Sequence, residues 1–402
     1  MQSRTRTTVM LGVAQTLSWA SSYYLPAVLA EPISRAVGIA YSTVFAAFSV
    51  ALLVSAATGP VAGQLIDRFG GRPVLIASNL VFAAGLAILS QATQASQVFL
   101  AWAVMGIAMG SGLYEAAFST VVRLYGQDAR RAITGITLFA GFASTIGWPL
   151  SSYFAHEFGW REACLTWAAL HLLLGFPLNL LLPRVVEVSG QEPSNRRPTA
   201  VQDAGGKMRP RKRTAYLMAY VFSVSWFIST SMAAHLPQLL QSTGAAVAIG
   251  AAALVGPAQV AGRLMEYGFL KNAHPLLPAK LAILAHPLAA LCLSLAGAPA
   301  ASAFAILHGL GNGILTIAVG TLPLKVFGAN GYGQRQGWLM MPARILQAGS
   351  PFLFGMAVSQ WGLGALWLSS LLGITAFWAL CGMRIPVQQH VAELDKPVTA
   401  RM

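Results

Sequence analysis

Two charged residues lie deep inside long apolar stretches of this 402-residue chain. Glu115 lies within an apolar run over 98–122, and Arg344 lies near the middle of another over 335–358. A charge near the centre of a bilayer costs about 2.5 to 3.5 kcal/mol on insertion scales, so both residues are functional candidates. The planar guanidinium of Arg344 matches the two oxygens of a carboxylate. A carboxyl such as Glu115 can take up and release a proton as its surroundings change.

These two charges allow two interpretations. In the first, Arg344 binds an anionic group of a ligand, most simply a carboxylate, and Glu115 is a site of proton coupling. In the second, Glu115 and Arg344 neutralise each other, or pair with hydroxyls or carbonyls, and so hold parts of the protein together. The sequence leaves both interpretations open.

Polar and aromatic residues accompany the two charges in other apolar runs, and such residues orient a ligand within an apolar pocket. Gln15, Trp19 and Tyr23 recur every four residues and therefore share one helical face. A membrane histidine such as His308 is equally compatible with a hydrogen-bonded packing role. The predicted ligand-binding residues besides Arg344 are Gln15, Trp19, Tyr23, Trp226, His308 and Asn312.

Long apolar helices must position these residues. Hydrophobic residues make up 56% of the sequence and charged residues 9%, whereas a soluble domain is about one quarter charged. Runs of roughly 20 apolar residues, enough to cross a bilayer, recur along the whole chain. They predict an all-α membrane protein with twelve transmembrane helices, numbered here as spans 1 to 12: 9–30, 42–64, 73–92, 98–122, 132–154, 162–182, 214–238, 245–265, 277–295, 299–324, 335–358 and 362–383.

The chain has one long polar stretch, which is rich in Pro, Arg and Gly and lacks a hydrophobic period. We therefore predict a six-helix bundle over 1–182, a cytoplasmic linker over 183–213, a second six-helix bundle over 214–383 and a cytoplasmic tail over 384–402.

The two predicted bundles can be aligned with each other. Gly126 matches Gly328 at an offset of 202 residues (328 − 126), and the segment 63–67 matches 262–266. Two repeated bundles that rock around a site at the membrane midplane provide alternating access, which a transporter needs. At the same offset Arg344 falls on Phe142, so the deep charge is not part of the repeat.

The segment 63–72 reads Gly-Gln-Leu-Ile-Asp-Arg-Phe-Gly-Gly-Arg in the predicted loop after span 2. It closely resembles the loop signature G-x-x-x-D-R-x-G-R-R/K of the major facilitator superfamily, although Gly71 stands where the signature usually has a basic residue. The resemblance implies two pseudo-symmetric six-helix bundles, a cavity lined by spans 1, 4, 7 and 10, and a conformational latch in this loop. The predicted gating residues are Gly63, Asp67, Arg68, Gly70 and Arg72.

The region from Arg123 to Pro149 is similar to the same region of monocarboxylate transporters and oxalate/formate exchangers. The basic residue that many drug:proton antiporters carry in span 4 is absent from 101–106. The resemblance thus implies a secondary active transporter that moves a small organic anion, coupled to protons or by exchange. The alternative is a multidrug or metabolite efflux antiporter for amphipathic compounds.

The net charge of +14 is distributed unevenly. All Lys and Arg residues except Arg35, Arg161 and Arg344 fall on the side of the N-terminus, so the positive-inside rule predicts cytoplasmic termini in an inner membrane. This charge indicates topology and contact with anionic lipid rather than nucleic acid. We expect a monomer whose partners are a small-molecule substrate, protons or a counter-substrate, and membrane lipids.

Enzyme signatures are missing from the sequence, which has no H-E-x-x-H and no G-x-S-x-G motif. Its three cysteines lie in apolar runs without the spacing of metal ligands. We therefore expect no catalytic residue, no metal and no cofactor. A sensor or scaffold on a transporter fold would differ by binding its ligand without flux.

Overall fold

The structure is a computed structural model that is helical throughout its described parts apart from short turns, and no strand occurs within them. The predicted tail, 384–402, lies outside these parts, as do most of the predicted linker and the first residues of predicted span 8. The domain boundaries therefore stay a prediction. The described residues are 2–184, 211–241, 253–270 and 273–383.

The first half of the chain folds into helices that follow the predicted spans. A helix satisfies its own backbone hydrogen bonds, which is what an apolar surrounding requires of a spanning segment. Several of these spans consist of two helices separated by an interruption. The helices are Gln2–Ala20 and Pro26–Val37 in span 1, Tyr41–Phe69 in span 2, Gly71–Ser90 in span 3, Ala95–Gly112 and Tyr114–Tyr125 in span 4, Arg130–Ala140 and Ala143–Glu157 in span 5, and Trp160–Leu170 and Phe176–Leu180 in span 6.

The second half contains longer uninterrupted helices. Span 10 is one helix, and its glycines permit close packing against span 8. A Cβ on Gly313 would lie 2.1 Å from the carbonyl oxygen of Gln259 in span 8. The helices are Arg211–Gln241 in span 7, Val255–Met265 in span 8, Leu276–Ala296 in span 9, Ala301–Phe327 in span 10, Tyr332–Trp361 in span 11 and Ala365–Cys381 in span 12.

Span 1 differs from its prediction as one continuous segment over 9–30. It begins at Gln2, ends at Val37, and is interrupted between Ala20 and Pro26. Pro26 has no backbone N–H and so cannot continue the preceding helix, but it is well suited to begin a new one. The interruption therefore has a local cause in the sequence.

Eight helical segments of the described chain are long and apolar enough to cross a membrane. Two of them, Ala95–Glu157 and Tyr332–Cys381, each take in two predicted spans. Together the eight segments include every predicted span except span 1, which is interrupted, and span 8, whose first residues are not described.

The internal repeat predicted from the sequence is visible in the backbone. Gly126 ends the last helix of span 4 with a φ of 58°, and Gly328 ends span 10 with a φ of 82°. Each glycine donates its N–H to a carbonyl four residues earlier, Val122 and Leu324 respectively. Glycine adopts positive φ without steric cost, so the matched glycines end matched helices.

The buried apolar side chains form two clusters. One extends from Met10 to Leu182 and takes in a few residues of the second half, and the other extends from Met218 to Met383. Span 2 packs along span 11 across the boundary between the clusters, where a Cβ on Gly63 would lie 2.1 Å from the carbonyl oxygen of Gly333. Glycine at this position therefore permits the backbones of the two halves to approach each other closely.

Several loops meet on the face of the molecule that carries the N-terminus, called the N-terminal face below. Arg4 contacts Asp128 in the loop between spans 4 and 5 at 3.3 Å. Asp67, at the end of span 2, accepts a hydrogen bond of 2.9 Å from the backbone N–H of Gly333, at the start of span 11. The second contact joins the two halves, so they are in contact on this face.

Candidate functional site

Arg344 and Glu115 form an ion pair that joins the two halves. Nη2 of Arg344 lies 2.9 Å from Oε1 and 3.1 Å from Oε2 of Glu115. The side chains are only 5% and 11% exposed, respectively. Nη1 of Arg344 donates to Oε1 of Gln347 at 2.9 Å, and Nε2 of Gln347 donates to the hydroxyl of Tyr23 at 3.1 Å. In this conformation the two deep charges therefore neutralise each other.

An interruption of span 4 positions Glu115. Leu113 is extended, with φ −84° and ψ −163°, so one helix ends at Gly112 and the next begins at Tyr114. Glu115 lies in the first turn of this second helix, where the free N–H groups and the helix dipole favour a carboxylate. The carboxylate is thus stabilised by the helix terminus as well as by Arg344.

Gln15 supports this interruption. Its Nε2 donates a hydrogen bond of 2.6 Å to the carbonyl oxygen of Gly112, at the end of the first helix of span 4. Its Oε1 is buried and has no hydrogen-bond partner within the described residues. The ligand-binding role predicted for Gln15 is therefore reduced to this one oxygen, because the nitrogen already holds the backbone.

Aromatic rings from both halves surround the guanidinium of Arg344. Its Cζ lies 4.9 Å from the ring centre of Trp226 and 6.0 Å from that of Trp19. The two indole rings are parallel within 4°, with centres 6.2 Å apart. Tyr23 packs edge-on against Trp19 at 5.2 Å. The structure thus brings together Arg344, Glu115, Trp19, Tyr23 and Trp226 of the predicted site.

His308 lies apart from this cluster. Its Nδ1 is 3.1 Å from Nδ1 of His286, whose Nε2 is 2.8 Å from the hydroxyl of Ser369. Phe304 stacks on the imidazole with ring centres 6.0 Å apart. The ring is therefore engaged within the second half, and its predicted ligand contact has no support here. Asn312 is half-buried, and its side chain makes no hydrogen bond to the cluster within the described residues.

Arg263 is a further buried charge near the site. The predicted spans place it near the end of span 8, and it is not among the predicted site residues. The residue is 5% exposed, and its Nε and Nη1 have no hydrogen-bond partner among the described residues. A Cβ on Gly141 would lie 2.2 Å from Nη1.

Arg263 lies against one of several helix interruptions of the first half, the one at Gly141. Tyr24 lies in the interruption of span 1, Tyr114 begins the second helix of span 4, and Gly141 separates the two helices of span 5. Discontinuous helices at the contact between two repeated halves are where secondary transporters bind their substrates. One sequence signal pointed to Arg263: the repeat pairs it with the uncharged Gln64, so it is unique to one half like Glu115 and Arg344.

Most of the buried polar atoms near the site that lack a hydrogen-bond partner among the described residues are donors. They include Nε and Nη1 of Arg263 and the indole nitrogen of Trp19. The Trp19 ring lies 4.8 Å from Tyr114 and 6.3 Å from Tyr24. Buried donors without acceptors are rare and costly in proteins. The arrangement fits a ligand that is rich in acceptor oxygens.

A small cavity adjoins the ion pair between spans 2, 4 and 11. Its lining includes Gly59, Gly110, Glu115, Gly337 and Arg344. The space suffices for a water-sized molecule and not for an organic anion. The two halves therefore enclose the ion pair tightly in this conformation.

Asp67 of the predicted gating loop binds the other half, while its gating role stays a prediction. Its Oδ1 accepts from the N–H of Gly333 at 2.9 Å and its Oδ2 from the N–H of Gln334 at 2.8 Å. Both donors lie in the first turn of span 11, where the helix dipole favours an anion. Opening the halves on the N-terminal face must break these bonds.

The segment 262–266, which matches the gating-loop segment 63–67 in the other half, makes a corresponding contact. Glu266, which matches Asp67, accepts a hydrogen bond of 2.8 Å from Nη2 of Arg130. Arg130 begins the first helix of span 5 and matches Tyr332, the first residue of span 11. Nη1 of Arg130 also donates to the carbonyl oxygen of Ala273 at 2.9 Å. Each loop acid therefore binds the start of the matching helix in the opposite half.

Close packing explains why the loop departs from the family signature at Gly71. A Cβ there would lie 1.8 Å from Oγ1 of Thr120 in span 4, so no side chain fits. Gly70, with a φ of 82°, ends span 2 and turns the chain into span 3. Arg68 lies over the ring of Phe69, with Cζ 4.9 Å from its centre.

His274 is a titratable group in the loop between spans 8 and 9, outside the spans. Partial burial lowers its pKa from the usual 6.5, and the positive charges of Lys325, Arg130 and Lys280 lower it further. The imidazole therefore favours its neutral form, and its protonation would add a positive charge beside the Arg130–Glu266 contact.

Comparison with known proteins agrees with this architecture. The sequence model of the Major Facilitator Superfamily matches residues 11–351. The chain superposes on the human organic anion transporter MFSD10 (TETRAN) with a TM-score of 0.71 and 15% identity, covering 94% of this chain and 99% of that one. At this identity the likeness shows the fold alone.

Similar sequences include two transporters of carboxylate compounds. Human monocarboxylate transporter 2 is 26% identical over 183 residues, 44% of this chain and 37% of the relative. The 4-hydroxybenzoate transporter PcaK of Pseudomonas putida is 24% identical over 219 residues, 51% of this chain and 48% of the relative. The matched region thus spans less than half the length of either relative.

Proposed function

Because the chain belongs to the major facilitator superfamily, we propose that it is a secondary active transporter that carries a small monocarboxylate by alternating access. In this proposal Arg263 anchors the carboxylate, and Glu115 with Arg344 couples its movement to a proton. Both termini lie in the cytoplasm.

The observation that carries the proposal is the buried guanidinium of Arg263, whose Nε and Nη1 have no hydrogen-bond partner among the described residues. Burying a charge without a partner is costly, and an isolated buried arginine cannot lower that cost by losing its proton. A ligand oxygen can accept a hydrogen bond from Nε or from Nη1, which point to different sides of the guanidinium, and the positive charge favours an anionic ligand such as a carboxylate. The indole N–H of Trp19 adds another donor in the same region.

The Glu115–Arg344 pair supplies a physical basis for coupling. When Glu115 takes up a proton, Arg344 loses its negative partner and becomes available to an anion. Binding one carboxylate and one proton together leaves the net charge of the site unchanged, so the loaded site avoids an uncompensated buried charge. Proton coupling is therefore the mode that the charges favour, with anion exchange as the neutral alternative.

The aromatic side chains bear on the rest of the substrate. Trp19, Tyr23, Tyr114 and Trp226 offer apolar faces beside the two arginines. Such faces suit the apolar or planar body of a monocarboxylate. The named substrates of the relatives, a monocarboxylate and 4-hydroxybenzoate, are of this kind.

Asp67 and Glu266 act as the latch in this proposal. They hold the halves together on the N-terminal face through the starts of spans 11 and 5. Their release opens this face while the opposite face closes, as alternating access requires.

Transport by purified protein tests the proposal. Proteoliposomes should accumulate benzoate or lactate when an inward proton gradient is imposed, and a protonophore should abolish the accumulation. Arg263→Gln should remove uptake, whereas Arg123→Gln, at an exposed arginine away from the site, should retain it. Stabilisation and transport of cationic amphipathic drugs alone would favour the efflux antiporter instead.

A further inference from the structure

A groove on the N-terminal face lies away from the proposed transport site. The end of span 2, the start of span 3, the end of span 4 and the end of span 6 form its walls. It has a volume of about 410 Å³ and opens to solvent. The side chains that line it combine an apolar wall with two guanidinium groups.

The apolar wall comes from three different helices. Ile76 belongs to span 3, Leu124 to span 4 and Leu180 to span 6. Leu180 is 42% exposed, and the neighbouring Phe69 is 57% exposed. Apolar side chains that stay exposed beside a groove at the end of spanning helices are suited to contact with an acyl chain.

Two arginines supply the charge of the groove. Arg72 lies at the start of span 3 and Arg184 follows the end of span 6. Neither forms an ion pair with an acidic side chain within the described part of the chain. The arginines that do so there are Arg4, Arg35, Arg130 and Arg344. An anion that enters the groove would therefore not have to displace an acidic side chain from Arg72 or Arg184.

The wall beside Arg72 is fixed by close packing. Gly71 touches span 4 so tightly that a Cβ would lie 1.8 Å from Oγ1 of Thr120, and Gly70 holds a φ of 82°. The backbone that carries Arg72 therefore has little freedom to move relative to Leu124. A preformed site of this kind loses less entropy on binding than a mobile one.

We propose that this groove binds an anionic phospholipid, with the phosphate between Arg72 and Arg184 and an acyl chain along Ile76, Leu124 and Leu180. Arginine is suited to phosphate because its planar donors form paired hydrogen bonds with phosphate oxygens. An apolar wall next to two guanidinium groups matches an amphipathic anion better than a free phosphate. The groove also lies on the face where basic residues concentrate, which is the expected side of anionic lipid.

The lipid also contacts the gating loop. Arg72 is the last residue of the segment 63–72, which carries Asp67. A lipid held by Arg72 and Arg184 would join this loop to the end of span 6. The site therefore differs from the carboxylate site in both place and ligand.

Native mass spectrometry of the full-length protein in detergent tests the proposal without measuring transport. We expect dioleoyl-phosphatidylglycerol to bind more tightly than dioleoyl-phosphatidylcholine. The double variant Arg72→Gln/Arg184→Gln should weaken phosphatidylglycerol binding by at least about tenfold, since charge-assisted bonds to phosphate are lost. Arg123→Gln, which removes an exposed arginine at the end of span 4 outside the groove, should leave the binding unchanged.

Further variants and competitors separate the possible outcomes. Arg72→Lys/Arg184→Lys should retain part of the preference for phosphatidylglycerol, which excludes simple unfolding as the cause of the loss. Inorganic phosphate at millimolar concentration should fail to displace the lipid. Equal binding of the two lipids, an unchanged affinity of the Gln variant, or displacement by inorganic phosphate would each overturn the proposal.

Discussion

The guanidinium of Arg263 fills the space beside Gly141, where a Cβ would lie 2.2 Å from Nη1. Arg263 belongs to span 8 in the second half and Gly141 to the interruption of span 5 in the first, so the contact crosses between the halves. A residue larger than glycine would displace the guanidinium from this position. Gly141 therefore determines where the charge of Arg263 lies.

Gly141→Ala should weaken carboxylate binding. The added methyl group pushes Arg263 away from its present position, and we expect the apparent Km for the carboxylate to rise by about tenfold, or roughly 1.4 kcal/mol. Initial rates of benzoate uptake into proteoliposomes measure this effect.

Gly256→Ala is the matched control for this substitution. Gly256 lies in span 8 like Arg263, but a Cβ there meets no atom of the described residues within 4 Å. The Km of the Gly256→Ala variant for the carboxylate should equal that of the unchanged protein. Equal Km values for Gly141→Ala and the unchanged protein would show that the position of Arg263 does not govern binding.

Glu115→Gln should separate proton coupling from substrate movement. Glutamine cannot take up a proton in this range, yet it retains an oxygen that can accept a hydrogen bond from Arg344. Accumulation driven by a pH gradient should disappear, while exchange of labelled for unlabelled substrate should continue. The two assays on the same proteoliposomes measure the difference.

The control for Glu115→Gln is Glu31→Gln, at an exposed acid paired with Arg35 outside the site. It should leave both assays unchanged. Proton-driven accumulation that persists in Glu115→Gln would remove Glu115 from the coupling mechanism, even if exchange behaves as expected.

Much of the fold could be predicted from the sequence because the signals are local. Apolar runs indicate the spans, and the repeat of Gly126 in Gly328 was detectable by alignment. These features depend on residues close in sequence or on matching positions.

The details of the site depend on contacts between distant residues, which no local pattern reveals. The interruption at Leu113 is supported by Gln15, which bonds to Gly112, 97 residues away in the sequence. Arg263 lies only two residues before the predicted end of span 8, and its burial depends on the glycine at position 141 in the other half. His308 is of a residue type that often binds ligands, but its contact with His286 holds it away from the cluster around Arg344.

Asp67→Asn and Glu266→Gln should each favour separation of the halves on the N-terminal face, and the double variant should do so more strongly. Each substitution removes a charge-assisted contact worth about 1.5 to 3 kcal/mol, so the ratio of closed to open molecules should fall about tenfold or more. Spin labels at the exposed positions Gln127 and Asn330, on a cysteine-free background, measure this distance by pulsed EPR.

The EPR experiment has an internal comparison. Glu31→Gln changes an exposed acid outside the latch and should preserve the distance distribution of the unchanged protein. An unchanged distribution in the Asp67→Asn/Glu266→Gln double variant would mean that the two acids do not hold this face closed.

His274 should make stability depend on pH. Its pKa in the folded protein is lowered below 6.5, first by burial and then by neighbouring positive charges. The unfolded state therefore binds a proton before the folded state does, so stability falls as the pH drops below about 6.5 towards the lower, folded pKa. The midpoint of thermal unfolding between about pH 7.5 and about pH 5.5 measures this loss.

His274→Asn should reduce the loss, because asparagine does not titrate and its oxygen can still accept the bond that Nδ1 receives from the N–H of Leu276. Other titrating groups contribute equally to both proteins and cancel in the comparison. Parallel pH profiles for the two proteins would assign the pH dependence to groups other than His274.

Equilibrium binding of labelled benzoate to the purified protein tests the central claim most directly. Arg263→Gln removes two buried donors to a carboxylate, which should weaken binding by roughly 100-fold. Arg263→Lys should recover part of the affinity, because it restores the charge without the paired geometry. Arg123→Gln should bind like the unchanged protein. The same dissociation constant in Arg263→Gln and the unchanged protein would contradict the assignment of Arg263 as the carboxylate anchor.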